Sequence, residues 1–563
     1  MFSPGIYRSN SVLIRAALCV LLGNLVAGAV FADEDSNEVK LGRRLFEETR
    51  FSQYFFAHSN GDVNAHLETG DPVMSKSVMV VGKGMDGPFA GQAMNCRACH
   101  LVTEFRNSAG IRSYTDFGRR SPIPDRGDGL TVTVRRSPPL VTAQRKGHTG
   151  VVLHRDGEFP SMTELVKGTF SGRNFGWLPG ERDVAVHQVA EVIRNDDGTG
   201  QLAKDMFYGY SYSMLISSGA PVTRKAKLPP QYQGDISKLS DEEIFNKVAE
   251  FVTLYVRSLQ FHTDSETGEF DGSPYDMFLR KNNLPCAPRP LHPGLLETES
   301  DIAYTRALRQ AIDGLKDPAW VVNTDQKFYT HKQEFKFGPE EFAGLKIFLA
   351  ESPGGGGPES SNHVGNCIAC HMAPSFTDFG FHNTGAAQEE FDGIHGAGAF
   401  ARLPIPSLKD RDKDYDSYLQ KTANHPHACA MYESVPDSKH PCYTDLGVWN
   451  IFANPDLPYP QGRIANVLLL SGGDNSRDAM LERAIARFKT PSVRDLGHCA
   501  PYLHTGAKDK LQDVIVFYMK MSVMARKGAV RNADPSLSRI HLDPSDFSPL
   551  VAFLRALNED YED

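Results

Sequence analysis

Hydrophobic residues recur at helical spacing in the longest patterned stretches of the chain. In residues 241–260 the apolar side chains of Val248, Val252 and Val256 fall on one face, with Phe251 and Tyr255 beside them. This spacing indicates an amphipathic helix. Residues 545–557 repeat the pattern, and shorter helical patterns occupy 162–167 and 511–519. The pattern therefore predicts a mostly α-helical protein.

One apolar stretch differs from the others, because it lies at the N-terminus behind positive charge. Arg8 and Arg15 precede the run 16–32, and Asp33 follows it directly. A positive flank, a short apolar core and small residues before an acidic start are typical of a cleaved signal peptide. A membrane anchor is the alternative, but the run has 17 residues and a span needs about 20. We predict a signal peptide at 1–32, export to the periplasm, and no membrane span after processing.

The sequence after this leader contains the same pattern twice, which indicates an internal duplication. Each copy contains a Cys-x-x-Cys-His motif, then an aromatic-Thr-Asp-Phe-Gly string, and closes with the amphipathic helix. The matching segments are 41–46 and 344–348, 96–100 and 367–371, 114–118 and 376–380, 136–140 and 489–493, and 153–157 and 502–506. The second copy has about 78 additional residues between its motif and the last segment, which predicts an insertion near 385–480.

The two Cys-x-x-Cys-His motifs are the most specific chemical signal in the chain. Their residues are Cys96, Cys99 and His100 in the first copy and Cys367, Cys370 and His371 in the second. In such a motif both thiols bind one haem and the histidine that follows ligates its iron. A zinc site or a redox dithiol would not need this histidine in both copies, and no further Cys-x-x-Cys lies nearby. The sequence predicts two covalently bound haem c groups.

These motifs and the duplication predict two tandem, mostly α-helical cytochrome-c-like domains with loop-rich insertions. The first domain covers 33–284 and contains the haem on His100, and the second covers 336–563 and contains the haem on His371. Residues 285–335 between them are predicted to be a linker, because 285–293 is rich in proline.

Four cysteines remain outside the leader and the motifs: Cys286, Cys429, Cys442 and Cys499. An even number in an exported protein favours disulfides, and four cysteines permit three pairings. Cys429 and Cys442 bracket a short polar loop, which makes them the favoured pair, and free buried thiols are the alternative.

The formal net charge moves from −9 to −11 when the leader is removed, since the leader contains two arginines and no acidic residue. An acidic chain without a basic run excludes nucleic acid as a partner.

A resemblance to a known family rests on the two motifs and on the segments 41–46, 381–385, 488–506 and 517–518. In these segments the chain resembles the bacterial diheme cytochrome c peroxidase family, including its MauG-like branch. The resemblance implies two haems with different roles. One reacts with hydrogen peroxide or dioxygen, and the other passes electrons or stores an oxidising equivalent. It also implies a periplasmic electron donor or a protein substrate as the partner.

The resemblance implies a sixth ligand for the second haem at Tyr518, fourteen residues after His504. The peroxidases have methionine at this position and the MauG-like branch has tyrosine. An anionic phenolate stabilises oxidised iron, whereas a thioether favours ferrous iron. The neighbouring Met519 is the alternative ligand.

The first haem differs from the family pattern. The peroxidases place a second histidine ligand about sixteen residues after the motif, where this chain has Thr115 and Asp116, which predicts an open coordination site. The family's distal Gln and Pro correspond to Leu165 and Thr169, and its distal Glu has no clear counterpart. Arg155 stands at the position of the family's inter-haem tryptophan. His154 or Trp177 can substitute for that tryptophan, or His154 is a structural residue.

The calcium site that the family has between its haems is also altered here. Its Asn and Thr ligands correspond to Arg136 and Cys499, and only Pro501 matches. A cation requires oxygen ligands, and a guanidinium offers positive charge, so we predict that calcium is absent.

The sequence therefore predicts a haem oxidoreductase that uses peroxide or dioxygen at an open first haem, with His154, Arg155 and Tyr518 as candidate catalytic residues. An electron-transfer cytochrome without its own substrate and a diheme oxygenase are the alternatives.

Overall fold

The computed structural model describes residues 36–65, 67, 95–100, 103–106, 111–115, 120–142, 152–289, 300–352, 363–470 and 472–562. The predicted signal peptide lies outside these residues. Helices of the first half are α1 (Asn37–Phe46), α2 (Gln53–His58), α3 (Met162–Phe170), α4 (Arg182–Asn195), α5 (Gln201–Phe207), α6 (Tyr212–Ile216), α7 (Asp241–Ser258) and α8 (Pro274–Lys281). Helices of the second half are α9 (Asp301–Asp313), α10 (Pro339–Leu349), α11 (Ala386–His395), α12 (Leu408–Lys413), α13 (Tyr415–Tyr418), α14 (Val448–Ile451), α15 (Gln461–Leu470), α16 (Arg477–Ala484), α17 (Leu511–Arg526) and α18 (Phe547–Arg555). The predicted mostly helical fold is confirmed.

Short antiparallel sheets complete the described fold. The strands are β1 (Thr103–Arg106), β2 (Ile111–Thr115), β3 (Arg120–Pro122), β4 (Val132–Arg136), β5 (Phe381–His382), β6 (Phe488–Lys489) and β7 (Tyr561–Glu562). β1, β2 and β7 form one sheet, β3 pairs with β4, and β5 pairs with β6. The β3–β4 and β5–β6 pairs lie at corresponding positions of the two sequence repeats.

Each repeat places its opening helix against its closing helix. α1 packs on α7, and α10 packs on α18. A glycine permits the close approach in both pairs, because a Cβ at Gly42 would collide with the carbonyl of Phe251 and one at Gly344 with the carbonyl of Pro549. Ser240 and Glu243 form a capping box that starts α7, and such a cap stabilises a helix by about 1 kcal/mol. The two repeats thus use the same helix crossing.

The insertion builds most of a further hydrophobic core around the fully buried Trp449, and Val152, Phe381 and Phe488 from outside the insertion complete it. Within residues 285–335, which the sequence predicts to be a linker, the structure has the helix α9, whose Tyr304 and Leu308 are buried in the core of the second half. α8 contributes Phe278 to the same core. The domain boundaries stay a prediction, with α8 and α9 packed against the second haem-motif region.

The described cysteines are all free thiols, so the favoured Cys429–Cys442 disulfide is not formed in the structure. Cys429 is exposed, whereas Cys442 packs against the core of the insertion.

Among the described helices, none combines the length and the hydrophobicity needed to cross a bilayer.

Candidate haem sites

The first motif lies on a tight turn at the wall of a cavity with an empty volume of about 1510 Å³. The turn is a single 3-10 turn at Cys96–Ala98. The backbone N–H groups of Cys99 and His100 both donate to the Cys96 carbonyl, at 3.1 and 2.9 Å. All three motif residues line the cavity, so the turn presents two thiols and one imidazole to the same space.

The second motif repeats this geometry at a cavity of about 1590 Å³. The N–H groups of Cys370 and His371 donate to the Cys367 carbonyl at 3.2 and 2.8 Å. Nδ1 of His371 donates to the Phe376 carbonyl at 3.0 Å, which leaves Nε2 as the nitrogen that can ligate a metal. Burial lowers the pKa of His371 and so favours the neutral imidazole that a ligand requires.

Both cavities have the chemistry that haem requires. Their apolar lining includes Leu140, Val252 and Val256 in the first and Leu511, Ile515 and Leu550 in the second. Burial raises the pKa of Cys96, and it raises the pKa of Cys367 to about 12, so these thiols are protonated and uncharged. An apolar cavity beside two thiols and an imidazole fits a covalently bound haem.

One wall separates the two cavities and belongs to both. The residues that line both are Pro139, Arg155, Lys489, Thr490, Pro491, Ser492 and Cys499. Arg155 and Lys489 bring two cationic side chains to this wall. Burial, together with the nearby charge of Arg155, lowers the pKa of Lys489 to about 7. An anion such as a haem propionate would stabilise both cations here.

The two sequence repeats exchange backbone hydrogen bonds across this wall. The N–H of Lys489 donates to the Arg155 carbonyl at 2.7 Å, and the N–H of Arg136 donates to the His504 carbonyl at 2.9 Å. Arg136 and Lys489 occupy matching positions of the two repeats, as do Arg155 and His504. The contact is therefore reciprocal, and it fixes the spacing of the two cavities.

Arg136 is a buried cation that faces the second cavity. Its side chain lines that cavity and its residue is 5% exposed. Nε and Nη2 have no hydrogen-bond partner among the described residues. Buried guanidinium nitrogens without partners are costly, so an anionic group of the cavity's occupant would stabilise them.

We expect the site that contains Arg136 to bind no calcium ion, unlike the corresponding site of the family. Chelation with EDTA should leave the absorption spectrum and the activity of the purified protein unchanged, because the guanidinium, and not a metal, would bind the anionic groups of the cavity's occupant. Arg136→Asn should disturb both, and Arg120→Asn, on the neighbouring strand β3, is the matched control. Loss of activity on chelation that calcium restores would contradict this prediction.

Tyr518 lies on α17 and lines the second cavity together with the second motif. Burial raises the pKa of its phenol. Met519 is absent from the residues that line this cavity in the described part of the chain, because one residue rotates a helix position by about 100°. That Tyr518 ligates the iron stays a prediction, and the position of Tyr518 at the cavity favours it.

His154 lines the first cavity, as do Leu165 and Thr169. Nδ1 of His154 lies 3.2 Å from a Glu158 carboxylate oxygen and 3.8 Å from one of Asp156. Burial opposes the charged imidazolium, but these two carboxylates outweigh it and raise the pKa of His154. The arrangement gives the first cavity a histidine with a carboxylate partner, which can accept and return protons.

The other proposed substitute for the inter-haem tryptophan lies elsewhere. Trp177 is buried in the core of the first half, where its Nε1–H donates to the Phe51 carbonyl at 3.1 Å. It lines neither cavity. Asp116 lies outside the described residues, as does the side chain of Thr115, so the open first site stays a prediction.

Two features of the site were missed by the sequence reasoning. Glu158 follows His154 by four residues around a tight turn, and this spacing could have indicated that the two side chains pair. Arg135 binds Asp156 and also Asp445 of the insertion. Nothing in the sequence indicated that pairing, since 310 residues separate Arg135 from Asp445.

No family model matches the chain. The chain is similar to the cytochrome-c peroxidase IdrP2 of Pseudomonas sp. (strain SCT), at 35% identity over 79 residues, which cover 14% of this chain and 19% of that protein. It is similar to the cytochrome-c peroxidase IdrP1 of Denitromonas iodatirespirans, at 24% identity over 194 residues, 34% of this chain and 36% of that protein. The matches thus span about a fifth and about a third of these relatives.

Among solved structures, the diheme peroxidase BthA of Burkholderia thailandensis E264 matches at 14% identity and a TM-score of 0.43, over 94% of this chain and 87% of that chain. The curated sequence matches confirm the predicted resemblance of this chain to the bacterial cytochrome c peroxidases.

Proposed function

We propose that the processed chain is a periplasmic diheme c-type cytochrome that acts as a haem oxidoreductase. It would use hydrogen peroxide, or alternatively dioxygen, in the first cavity and pass or store oxidising equivalents in the second. The observation that carries the proposal is that each cavity contains one Cys-x-x-Cys-His motif and that the two cavities share one wall. Haem c, when bound, supplies a redox-active iron that can take peroxide or dioxygen at an open position.

The protein's own residues would give the two cavities different roles. Residues of both motifs would hold the haem groups, with His100 and His371 as iron ligands. Tyr518 would add a second, oxygen ligand in the second cavity, which favours oxidised iron. The first cavity has His154 instead, whose Nδ1 is held by Glu158.

His154 would act as the acid/base group of the first cavity. The peroxidase pattern places Gln, Pro and Glu there, and this chain has Leu165 and Thr169 at two of these positions. Arg135 fixes Asp156 beside His154 through a buried ion pair. The imidazole would accept a proton from hydrogen peroxide in the first cavity and hold it for return to the reaction.

The partner would be a periplasmic electron donor or a protein substrate. A macromolecular partner would exchange electrons with the haem groups from the protein surface, without entering the cavities. Arg155 and Lys489 line both cavities, so the two haem groups would lie on either side of one shared wall, and this arrangement favours electron transfer between them.

The spectrum of the ferric protein tests this function. We expect one high-spin and one low-spin signal by electron paramagnetic resonance, with cyanide perturbing the high-spin signal first. Two low-spin signals that cyanide does not change would favour an electron-transfer cytochrome. Consumption of dioxygen with incorporation of its oxygen into product would favour an oxygenase over a peroxidase.

We also expect the mature protein to carry two covalent haem groups, because both motifs line an apolar cavity. The intact mass should exceed that of the processed chain by two haems. Cys367→Ala with Cys370→Ala should remove one haem, and Cys429→Ala, at an exposed cysteine, should remove none. A mass that shows one haem or none would contradict the proposal.

A further inference from the structure

Two acidic residues of the insertion face each other on a short hairpin that contacts Arg135. The segments 431–434 and 444–446 run antiparallel and are joined by backbone hydrogen bonds. Glu433 and Asp445 are bridge partners in this hairpin. Side chains of directly opposed residues lie on the same face of an antiparallel pair, where two like charges destabilise the pair. Each of these two carboxyl groups therefore needs a cation or a proton.

Arg135 serves as the cation for Asp445 and not for Glu433. Its Nε and Nη2 donate to the two carboxylate oxygens of Asp445, Nη2 at 2.8 Å, and its Nη1 donates to Asp156. Glu433 lies 3.5 Å from Nη2, which is longer than an ordinary N–H···O hydrogen bond. All three nitrogens of the guanidinium are thus engaged by the other two carboxylates.

The charges of the cluster around Arg135 do not balance. Its bases are Arg135 and His154, and its acids are Asp156, Glu158, Glu433 and Asp445. Even with the imidazole protonated, four carboxylates would face two cations. His504, which also lies near Asp445, adds no charge, because burial lowers its pKa to about 3. A buried acid in such surroundings takes up a proton instead of carrying an uncompensated charge.

We propose that Glu433 holds a proton in the resting protein and supplies it to His154 during turnover. Among the acids that contact Arg135, Glu433 has the most exposed side chain, at 19% against 0% for Asp156 and 4% for Asp445. Solvent can therefore replace a proton that it releases. Burial raises the pKa of Glu433, and the neighbouring carboxylates raise it further, although Arg135 opposes this. Glu433 is thus a proton-holding residue that acts through the histidine.

The supply of this proton rests on the proposed peroxide reaction. Reduction of one hydrogen peroxide to two water molecules consumes two electrons, which the electron donor supplies, and two protons. One proton leaves the carboxyl oxygen of Glu433 and passes to the Glu158 carboxylate, directly or over one water molecule. From there it reaches Nδ1 of His154, which lies 3.2 Å from Glu158. His154 lines the first cavity and delivers a proton there.

Infrared absorption of the resting, haem-loaded mature protein tests the stored proton without any turnover. A protonated carboxylic acid has a C=O stretching band that a carboxylate lacks. Near neutral pH, we expect Glu433→Gln to remove one such band. Glu482→Gln, at a 63% exposed glutamate of α16, should remove none. Glu559 is fully buried and burial also raises its pKa, so its own band should stay in both variants.

Steady-state kinetics test the delivery of the proton. Glutamine has the shape and the neutral charge of a protonated glutamic acid but cannot release a proton, so a purely structural role would survive Glu433→Gln. We expect this variant to lower kcat for peroxide by about tenfold, less than the 10²–10⁴-fold of a group that acts directly. KM and haem content should not change, and the solvent deuterium isotope effect on kcat should increase. Glu433→Asp should restore most of kcat, and Glu482→Gln should behave like the wild type.

The two measurements separate the role of Glu433 from the proposed function. If Glu433→Gln removes no band, the stored proton is overturned, whatever reaction the protein catalyses. If it removes the band but keeps the wild-type kcat and isotope effect, the delivery to His154 is overturned. A wild type that has the band but does not turn over peroxide would overturn the proposed function and the delivery step, and would support the stored proton.

Discussion

Replacing Tyr518 with phenylalanine should remove the low-spin signal of the second haem and abolish turnover while both haems stay attached. The phenol lies on α17 at the cavity that contains Cys367, Cys370 and His371. If Tyr518 ligates the iron as proposed, losing its oxygen would destabilise the oxidised state in which the second haem is proposed to store an oxidising equivalent. We expect turnover to fall by more than about a hundredfold, since even groups behind a metal ligand contribute 10–100-fold. Electron paramagnetic resonance and haem content by absorbance measure the two effects.

The neighbouring residue provides the matched control for this change. Met519 does not line the cavity in the described structure, so Met519→Leu should keep the wild-type low-spin signal and most of the turnover. If Tyr518→Phe instead keeps the signal and Met519→Leu loses it, the ligand is the methionine. The likeness to the MauG-like branch would then fail at its most specific position.

The duplication could be read from the sequence because local backbone geometry follows local residue patterns. The segments 153–157 and 502–506 both form a tight turn closed by an antiparallel bridge, Leu153 to Phe159 and Tyr502 to Lys508. The second residue of each turn has a positive φ, 71° at His154 and 67° at Leu503. A non-glycine residue rarely adopts this conformation, so its recurrence at matching positions supports a common origin.

The shared wall could not be read from the sequence in the same way. The reciprocal hydrogen bonds of Arg136 and Lys489 join segments more than 300 residues apart, and no local pattern reports such a contact. The same holds for Arg135 and Glu433, whose contact depends on how the insertion packs against β4. The two Cys-x-x-Cys-His turns can be located from a local sequence pattern, whereas the partners across the fold required the structure.

The insertion changes the electrostatics of the first cavity although it lies outside both repeats. Its Asp445 and Glu433 contact Arg135, which also binds Asp156 beside His154. Burial raises the pKa of Glu433, with Asp156 and Glu158 nearby and Arg135 opposing. Arg135 thus neutralises Asp156 and Asp445 in a buried network. Removing one member of this network would leave the charge of another buried and uncompensated. We infer that the insertion stabilises the carboxylates that position His154.

His154→Gln should lower peroxide turnover by about 10²–10⁴-fold, the usual contribution of a positioned acid/base group, without changing haem content or the ferric spectrum. In the wild type, the carboxylates of Glu158 and Asp156 overcome the effect of burial and raise the pKa of His154. The imidazolium therefore persists to higher pH, and the neutral imidazole that accepts the peroxide proton forms only above that raised pKa. The value of kcat/KM should accordingly rise with pH through an inflection above the range of an ordinary histidine.

Glu158→Gln should move that inflection to lower pH, because it removes the carboxylate that lies 3.2 Å from Nδ1 of His154 and stabilises the imidazolium. Turnover at high pH should change far less than in His154→Gln, since the neutral imidazole is still present. Glu164→Gln, at a half-exposed glutamate on α3 paired with Lys167, should leave the profile of kcat/KM against pH unchanged. An inflection that Glu158→Gln does not move would show that another group carries the proton, and a His154→Gln variant with wild-type turnover would exclude the histidine from the reaction.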